Sequence, residues 1–358
     1  MSVISKRLNR NCSIKEAVVY QMGKVGSTSI VASLNSAGVS AYQSHFMDTA
    51  SFHSVIDKFD LPNSISKEAA NHISVQLQRN LILRNKVKQY QTNDPSRKGN
   101  LGIITLVRDP LSWYFSNLAQ NFFQVEKNLR NWLEAEGLLR GGQELDVSHI
   151  HHLFDEVFSR FDKLVPDMNR DYSELIQDAY KEASKTREGV LYRFIYGQIA
   201  ELNRIQFWFD KHFLPVFNLD LLRYSFPDTD RYAIHNRDNI DFLLLKFEEL
   251  DSLHDVIADF CGLSSFKMKF LNESRNKSIG KLVSSAKKTI EIPNSFREKY
   301  YSSEYCEVFY TPSASDEPQV MRIRRRRHPP LGMPGKPLNI NDVSNYHQSK
   351  RKSLESFI

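Results

Sequence analysis

A turn rich in glycine, lysine and hydroxyl residues occupies positions 23–29, with the sequence GKVGSTS. Its two glycines allow a sharp bend that presents backbone N–H groups, and Lys24 supplies a cation. The hydroxyl residues stand where a helix would begin, and the free amides and dipole of a helix N-terminus favour an anion. The types and spacing predict a phosphate-binding loop, although such a turn alone fits a simple helix cap equally well. The predicted loop residues are Gly23, Lys24, Val25, Gly26, Ser27, Thr28 and Ser29.

A second candidate for anion binding lies in the segment LVRDPLSWYFSN at positions 106–117. Arg108 leaves the end of a predicted strand, and Ser116 follows eight residues later, about two turns along the next helix. A guanidinium fork and a hydroxyl suit a terminal phosphate monoester. Standing alone, the Arg-Asp-Pro sequence is also typical of a salt-bridged loop.

The elements around these segments predict an α/β fold. Apolar, strand-length runs occupy residues 17–22, 102–107 and 242–247, and a fourth strand is predicted at 39–44. Helical patterns follow three of them, at 27–34, 110–123 and 251–260. This alternation indicates a parallel sheet flanked by helices, whose carboxyl edge binds ligands in open α/β folds. Both anion-binding segments would lie at that edge.

The middle and the end of the chain have a different character. Residues 128–213 lack strand signals, and an apolar stripe at helical spacing predicts a helical insertion beside the cleft. Its members are Ile195, Ile199, Leu202, Ile205 and Phe209. Five of the 13 prolines follow Pro312, and 322–327 holds five arginines. We predict an α/β domain at 14–312, with the insertion inside it, and a poorly ordered basic tail at 313–358.

Composition narrows the class of protein. The 358 residues are 41% hydrophobic, enough for a sizeable core. The net charge of +6 comes mostly from the segment 316–358, which holds nine bases and four acids. Nucleic acid is therefore not the expected partner of the folded part. The arginine run Arg322–Arg327 favours a solvated tail, with weak contact to an acidic or membrane surface as the alternative.

Cysteine content and hydropathy bear on the compartment. Cys12, Cys261 and Cys306 form no close pair in the sequence, so neither a disulfide framework nor a cysteine-based zinc site is predicted. No apolar run reaches membrane-spanning length, and the first apolar stretch is too short for a signal peptide. A cytoplasmic protein is expected, and the sequence gives no prediction of its oligomeric state.

Together the two anion-binding segments resemble the family of sulfotransferases that use PAPS, 3′-phosphoadenosine 5′-phosphosulfate. The segment 23–28 is similar to the family's Lys-x-Gly-[ST]-[ST] loop, with Gly23 in place of the usual proline. Arg108, Asp109, Pro110 and Ser116 are similar to its 3′-phosphate motif. The segment LKFEEL at 245–250 is similar to a late strand of the family, so the resemblance spans about 15–262. Segments 207–210 and 216–220 look most like the bacterial branch of capsular polysaccharide synthesis proteins.

The resemblance implies a function and a role for each matched residue. PAPS would be the co-substrate, 3′,5′-ADP the product, and a carbohydrate or small metabolite the acceptor. Lys24 would contact the bridging oxygen of the phosphosulfate, and residues 26–28 would hold the 5′-phosphate. Arg108 and Ser116 would hold the 3′-phosphate. Arg275 and Lys277, in the basic segment 275–280, are the nearest match to the family's nucleotide-closing segment, although an exposed basic turn explains them equally well.

Deprotonation of an acceptor hydroxyl requires a base near the sulfur. His45 is the predicted base, because it follows the second strand and should reach the edge that carries Lys24. Asp48, His53 and Glu248 are reserves, and Glu248 and Glu249 could instead cap or salt-bridge the sheet edge. His149, His151 and His152 are interpreted as solvated or packing residues, because they lack an evident further ligand. No metal is expected, since the migrating sulfuryl group carries less negative charge than a phosphoryl group.

Two alternatives stay open. A kinase-like enzyme or nucleotide hydrolase with a degenerate phosphate loop would need a Mg²⁺-binding Asp and a lysine after the second glycine. A non-catalytic protein could act through its basic tail, and its binding would then depend strongly on salt and disappear on truncation before Ser313.

Overall fold

The structure is a computed structural model that describes most of the first 310 residues. The described residues are 14–53, 67–92, 100–170, 174, 175, 177, 178, 181, 185, 187–223, 226, 231–269 and 278–310. Arg275, Lys277, Cys12 and the predicted tail at 313–358, with its arginine run, lie outside these ranges.

A five-stranded, mostly parallel sheet forms the centre of the fold. Its strands are β1 (Glu16–Tyr20), β2 (Ser40–Ser44), β3 (Leu101–Val107), β4 (Tyr232–Arg237) and β5 (Ile240–Lys246). They stand in the order β2-β1-β3-β5-β4, with β4 alone antiparallel to its neighbour. The four predicted strands are confirmed as β1, β2, β3 and β5, with ends shifted by a few residues. The α/β class is likewise confirmed.

The edge strand β4 is absent from the sequence prediction. It joins β5 through a two-residue connection, Asp238 and Asn239, and Asp238 has a positive φ of 56°. Asp and Asn tolerate this backbone region and favour tight hairpins. β4 is only half buried and carries polar residues, so its apolar signal is weak.

Helices cover the sheet on both sides and continue into the helical middle of the chain. They are α1 (Ser27–Ser36), α2 (Lys67–Gln91), α3 (Pro110–Ala135), α4 (Val147–Leu164), α5 (Arg187–Asn203), α6 (Leu214–Phe217), α7 (His254–Cys261), α8 (Ser278–Thr289), α9 (Asn294–Tyr300) and α10 (Glu304–Phe309). Among the described helices, none combines the length and the apolar composition that a membrane span requires.

The predicted apolar stripe is buried, but one regular helix does not carry it. All five members are at most 3% exposed. α5 ends at Asn203, a 3₁₀ turn spans Arg204–Phe207, and a π-helical turn spans Phe209–Phe213. Pro215 has no N–H to donate to the carbonyl four residues earlier, which weakens regular α-helical bonding here. π turns of this kind often occur at functional sites.

The helix after β3 also differs from its prediction. α3 continues to Ala135, twelve residues beyond the predicted end. Within α3, Phe123 is 69% exposed, whereas Trp113, Tyr114, Phe115 and Phe122 are buried. Phe122 and Phe123 differ because adjacent helix positions face different directions.

Candidate functional site

The strand order creates a cleft between β1 and β3. The chain leaves β1 towards β2 on one side, and it leaves β3 towards β5 on the opposite side. Ligands of open α/β sheets bind at such a switch point, outside the carboxyl ends of the strands. Residues 23–29, which we call the Lys24 loop, follow β1, and Arg108 follows β3. Both predicted anion-binding segments therefore border this cleft.

The Lys24 loop is held in an unusual backbone conformation. Lys24 has a φ of 73° and Gly26 a φ of 78°. A left-handed conformation at a lysine is costly and is concentrated at functional sites. A Cβ on Gly26 would lie 3.2 Å from Phe247 Cε2, so this close approach also requires glycine. The N-cap residue of α1 is Gly26, which has no side chain to cap the helix, and the first helical amides belong to Ser27, Thr28 and Ser29.

Two side chains from the β3–α3 region fix this loop. Trp113 Nε1 donates a hydrogen bond to Gly23 O at 2.8 Å, and Arg108 Nη1 donates one to Lys24 O. Val25 is 1% exposed and anchors the loop in the core. The loop therefore reaches its conformation before any ligand arrives, which reduces the ordering cost of binding.

Arg108 is partly buried at the bottom of the cleft. Its guanidinium stacks on Phe247, with Cζ 4.3 Å from the ring centroid, and its Nε has no hydrogen-bond partner among the described residues. Desolvation lowers the pKa of this guanidinium, although the Glu248 carboxylate acts in the opposite direction. The Glu248 carboxylate accepts hydrogen bonds from Asp109 N (2.8 Å) and Tyr310 Oη (3.2 Å). An anion that reached Nε would satisfy this unpaired donor.

Lys287 of α8 is a further cation near Arg108, and the sequence analysis missed it. Its Nζ donates to Ser112 Oγ at 3.1 Å and lies 5.6 Å from the Phe115 ring centroid. Desolvation and then the charge of Arg108 lower the pKa of Lys287, so the two cations repel each other. Ser116 lies one helical turn beyond Ser112 on the same face of α3. We call Lys24, Arg108 and Lys287 the cationic cluster.

His45 lies beside the Lys24 loop, as predicted. A Cβ on Gly23 would be 4.0 Å from His45 Cε1. His45 Nδ1 is 3.0 Å from Gln21 O, so Nδ1 carries the proton and donates it to that carbonyl. Gln43 Nε2 donates to His45 Nε2 at 3.0 Å and to Ser27 Oγ at 2.8 Å. The unprotonated nitrogen of His45 thus connects through an amide to the first residue of α1.

The surroundings of His45 favour its neutral form. Desolvation lowers its pKa, and the positive charges of Lys24, Arg204 and Arg79 act in the same direction. The hydrogen bond to Gln21 opposes this effect without reversing it. A neutral imidazole, whose Nε2 can accept a proton, is the form that a general base requires.

A buried carboxylate joins the loop after β2 to the π-helical turn. Asp48 Oδ2 is 2.8 Å from His212 Nδ1 and 2.7 Å from Ser51 Oγ, and Asp48 Oδ1 accepts from Ser51 N at 2.8 Å. Burial alone raises the pKa of Asp48, but hydrogen bonds from His212 and Ser51, with the charge of His212, bring it below its ordinary value. We call Asp48, Ser51 and His212 the Asp48 cluster. Asp48, a predicted reserve base, is therefore committed to these partners.

His212 is a residue that sequence reasoning missed, although a histidine in the aromatic segment 207–213 was a visible signal. Its carbonyl accepts a hydrogen bond from Tyr20 Oη at 2.9 Å, which ties it to the end of β1. Ser51 Oγ is 3.0 Å from the same Nδ1 that faces Asp48. A serine nucleophile would need the opposite ring nitrogen, so these three residues do not form a hydrolase triad.

The other predicted residues have varied roles. Glu249 pairs with Arg231, whereas His53 is exposed. His149 completes a capping box with Asp146, His151 Nε2 lies 2.9 Å from Thr289 Oγ1, and His152 stacks on Trp132. Within the described ranges, no cluster of three or more His, Cys, Asp or Glu side chains could hold a metal ion.

The structure brings Gly23–Ser29, His45 and Arg108 to one edge of the sheet. Ser116 lies on α3, one helical turn beyond Ser112, the residue that Lys287 of α8 contacts. Arg275 and Lys277 lie outside the described residues. Comparisons of the chain with protein-family models, with curated proteins and with solved structures gave no match.

Proposed function

We propose that this protein is a PAPS-dependent sulfotransferase that transfers a sulfuryl group to a hydroxyl or amine of a carbohydrate or small metabolite and releases 3′,5′-ADP. The observation that carries the proposal is the meeting of the preformed Lys24 loop and Arg108 at the β1/β3 switch point. The cleft offers two anion-binding positions, the N-terminus of α1 beside Lys24 and the Arg108–Lys287 pair. A nucleotide with separate 5′- and 3′-phosphates matches these two positions.

The residues divide the reaction between them. The acceptor oxygen forms a bond to sulfur while the bond from sulfur to the bridging oxygen breaks. Lys24 and the first amides of α1 stabilise the negative charge on the departing phosphate. His45 Nε2 accepts the proton of the acceptor hydroxyl, which takes the place of the Gln43 amide there.

The chemistry of His45 predicts a pH dependence. A base works in its unprotonated form, and desolvation holds the pKa of His45 below the ordinary histidine value. Turnover should therefore persist below about pH 6.5 and fall only as the pH drops through the lowered pKa. His45→Ala should remove this acid limb from the pH profile of kcat/KM, together with most of the activity.

The acceptor and the location are part of the proposal. The resemblance to capsular polysaccharide synthesis proteins supports a polysaccharide acceptor, which transfer to small phenols alone would contradict. We further propose a cytoplasmic location, which is supported by the buried Cys261 and Cys306, since neither forms a disulfide within the described residues.

The test is thermal stabilisation by 3′,5′-ADP, with 5′-AMP, ADP and Mg²⁺·ATP as controls. A ligand at about 100 times its Kd adds roughly 2.7 kcal/mol to the free energy of unfolding. We expect the largest shift with 3′,5′-ADP, loss of that shift in Arg108→Ala, and no loss in Arg130→Ala, which removes a surface arginine paired with Glu126. Equal or better stabilisation by Mg²⁺·ATP would reject the sulfotransferase in favour of a kinase-like enzyme.

A further inference from the structure

Three tyrosines from the C-terminal helices converge on the turn that carries Arg108. Tyr305 Oη accepts a hydrogen bond from Arg108 N at 3.0 Å and donates one to Arg108 O at 2.9 Å. Tyr301 Oη donates to Asp109 Oδ2 at 2.5 Å, and Tyr310 Oη donates to Glu248 at 3.2 Å. Tyr305 lies 197 positions beyond Arg108 and Tyr301 lies 192 beyond Asp109, whereas Tyr310 reaches the turn indirectly, through Glu248.

The need for these contacts follows from where the sheet ends. β3 stops at Val107, whose partner in β5 is Lys246, so Arg108 has left the ladder of strand hydrogen bonds. Its N–H and C=O still require partners, and a single Tyr305 hydroxyl serves both. Tyr305 is 2% exposed, and burial raises its pKa well above the ordinary value, so the hydroxyl remains protonated as a donor.

Asp109, the residue after Arg108, is also held by hydrogen bonds. Asp109 Oδ1 accepts from Ser112 N at 2.7 Å and caps α3, while its other carboxylate oxygen accepts from Tyr301. Asp109 N donates to Glu248 Oε1, and Glu248 is in turn bonded by Tyr310. The turn therefore has little freedom to redirect the Arg108 side chain.

We propose that Tyr305 is a positioning residue for nucleotide binding, because its hydroxyl fixes the backbone of Arg108 and so aims the guanidinium at the 3′-phosphate. This inference rests on the proposed function. It makes α10 part of the nucleotide site without any contact between α10 and the nucleotide, and it assigns Tyr301 a weaker role of the same kind.

The experiment compares Tyr305→Phe with Tyr300→Phe. Tyr300 is also fully buried, but its hydroxyl donates to Leu202 O at 2.6 Å instead of bonding to Arg108. Both variants lose a buried hydroxyl, so both should lower the melting temperature of the unliganded protein. We expect only Tyr305→Phe to raise the Kd for 3′,5′-ADP, by about tenfold for two lost hydrogen bonds. The Kd for 5′-AMP, which lacks the 3′-phosphate, should not change.

The possible outcomes distinguish the positioning role of Tyr305 from the sulfotransferase function on which it rests. Loss of 3′,5′-ADP binding in Arg108→Ala, with equal Kd values in Tyr305→Phe and Tyr300→Phe, would overturn the positioning role alone. Unchanged binding in Arg108→Ala would overturn the proposed function first. Equal weakening of 3′,5′-ADP and 5′-AMP binding in Tyr305→Phe would indicate a general structural effect and also overturn the positioning role. If Tyr305→Phe does not fold, Tyr301→Phe takes its place in the same comparison, with a smaller effect of the same selectivity expected.

Discussion

The cationic cluster and the Asp48 cluster border the same end of the sheet, but they balance charge in different ways. In the cationic cluster, desolvation and the charge of Arg108 lower the pKa of Lys287, and the carboxylate of Glu248 accepts hydrogen bonds from Asp109 and Tyr310. In the Asp48 cluster, the buried carboxylate accepts hydrogen bonds from Ser51 and His212. An anion would therefore stabilise the first cluster, whereas the second is already satisfied by the fold.

This difference predicts that one cluster affects ligand binding and the other affects folding stability. Cations held close together raise the free energy of the folded protein, and a bound anion recovers that energy. A buried carboxylate with a full set of partners stabilises the fold, because removal of any partner leaves polar groups unsatisfied. Substitutions in the cationic cluster should mainly affect ligands, and substitutions in the Asp48 cluster should mainly affect unfolding.

The largest expected effect is that of Lys24→Ala on turnover. Loss of one donor to the leaving phosphate should lower kcat by about 10²- to 10³-fold, roughly 3 to 4 kcal/mol. The melting temperature should change little, since the Lys24 side chain is only partly buried. Release of 3′,5′-ADP measures the first effect and a thermal scan the second. Lys24→Arg, which keeps the charge, is the control. A large loss of stability in Lys24→Ala would contradict the expected difference between the two clusters.

Asp48→Asn should instead lower folding stability. We expect a loss of about 1–3 kcal/mol in the free energy of unfolding at pH 7, because the amide cannot accept both bonds to Asp48 Oδ2 as a charged group does. The carboxyl pKa is lower in the folded protein, so this contribution is present above the unfolded pKa of about 3.9 and is lost as the pH falls through the folded pKa.

Urea unfolding at pH 7, 5 and 3.5 measures the effect of Asp48→Asn, and the gap from the native protein should close towards acid. The control is Asp146→Asn, which removes a carboxylate that also contacts a histidine but is 60% exposed. Its effect should be about 1 kcal/mol or less. Similar losses of unfolding free energy in both variants would show that burial does not determine how much Asp48 stabilises the fold.

Gly26→Ala tests the loop backbone that presents Lys24. Both Gly26 and Gly38 have positive φ angles, so alanine should cost about 1–2 kcal/mol of folding stability at either position. A Cβ at Gly38 meets nothing within 4 Å, whereas one at Gly26 meets Phe247. Calorimetric titration should therefore show weaker 3′,5′-ADP binding in Gly26→Ala alone. Equal affinities in the two variants would contradict the role of the loop conformation.

The smallest effect is expected for Lys287→Met. One partly solvated cation should contribute on the order of 1 kcal/mol, or about fivefold in the Kd for 3′,5′-ADP. Because the pKa of Lys287 is lowered, affinity should decline as the pH rises through that value, while the lysine loses its proton. The variant should lack this alkaline decline. Lys288→Met, the next position on α8, should bind like the native protein, and an unchanged pH profile in Lys287→Met would exclude Lys287 from the site.

The parts of the fold that were predictable are those with strong local signals. β3 is buried at all seven positions, and its continuous apolar sequence predicted this. Gly26 and Ser27 marked the start of α1, and Pro110 marked the start of α3. β4 escaped prediction because an edge strand with one polar end carries little hydrophobic pattern. The end of α5 at Asn203 was not predicted, because the 3₁₀ and π turns that follow continue the same buried apolar stripe.

The candidate site was predictable to a similar extent. His45 and Arg108 stand directly after a strand, Lys24 stands four residues after β1, and parallel strands place their carboxyl ends together. Lys287 and His212 follow no strand, and their positions depend on how α8 and the π-helical turn pack. Tyr305 meets Arg108 from far along the chain, and no pattern within one sequence specifies such a contact.

The class of fold, the loop that exposes backbone amides and the order of the cations along the chain follow from local periodicity and residue type, so they can be read from the amino-acid sequence. Tertiary packing determines that Lys287 lies near Arg108, that His212 contacts Asp48 and that Tyr305 bonds to Arg108. Charge interactions and hydrogen bonds act through space over a few ångströms, and packing brings distant segments within that range.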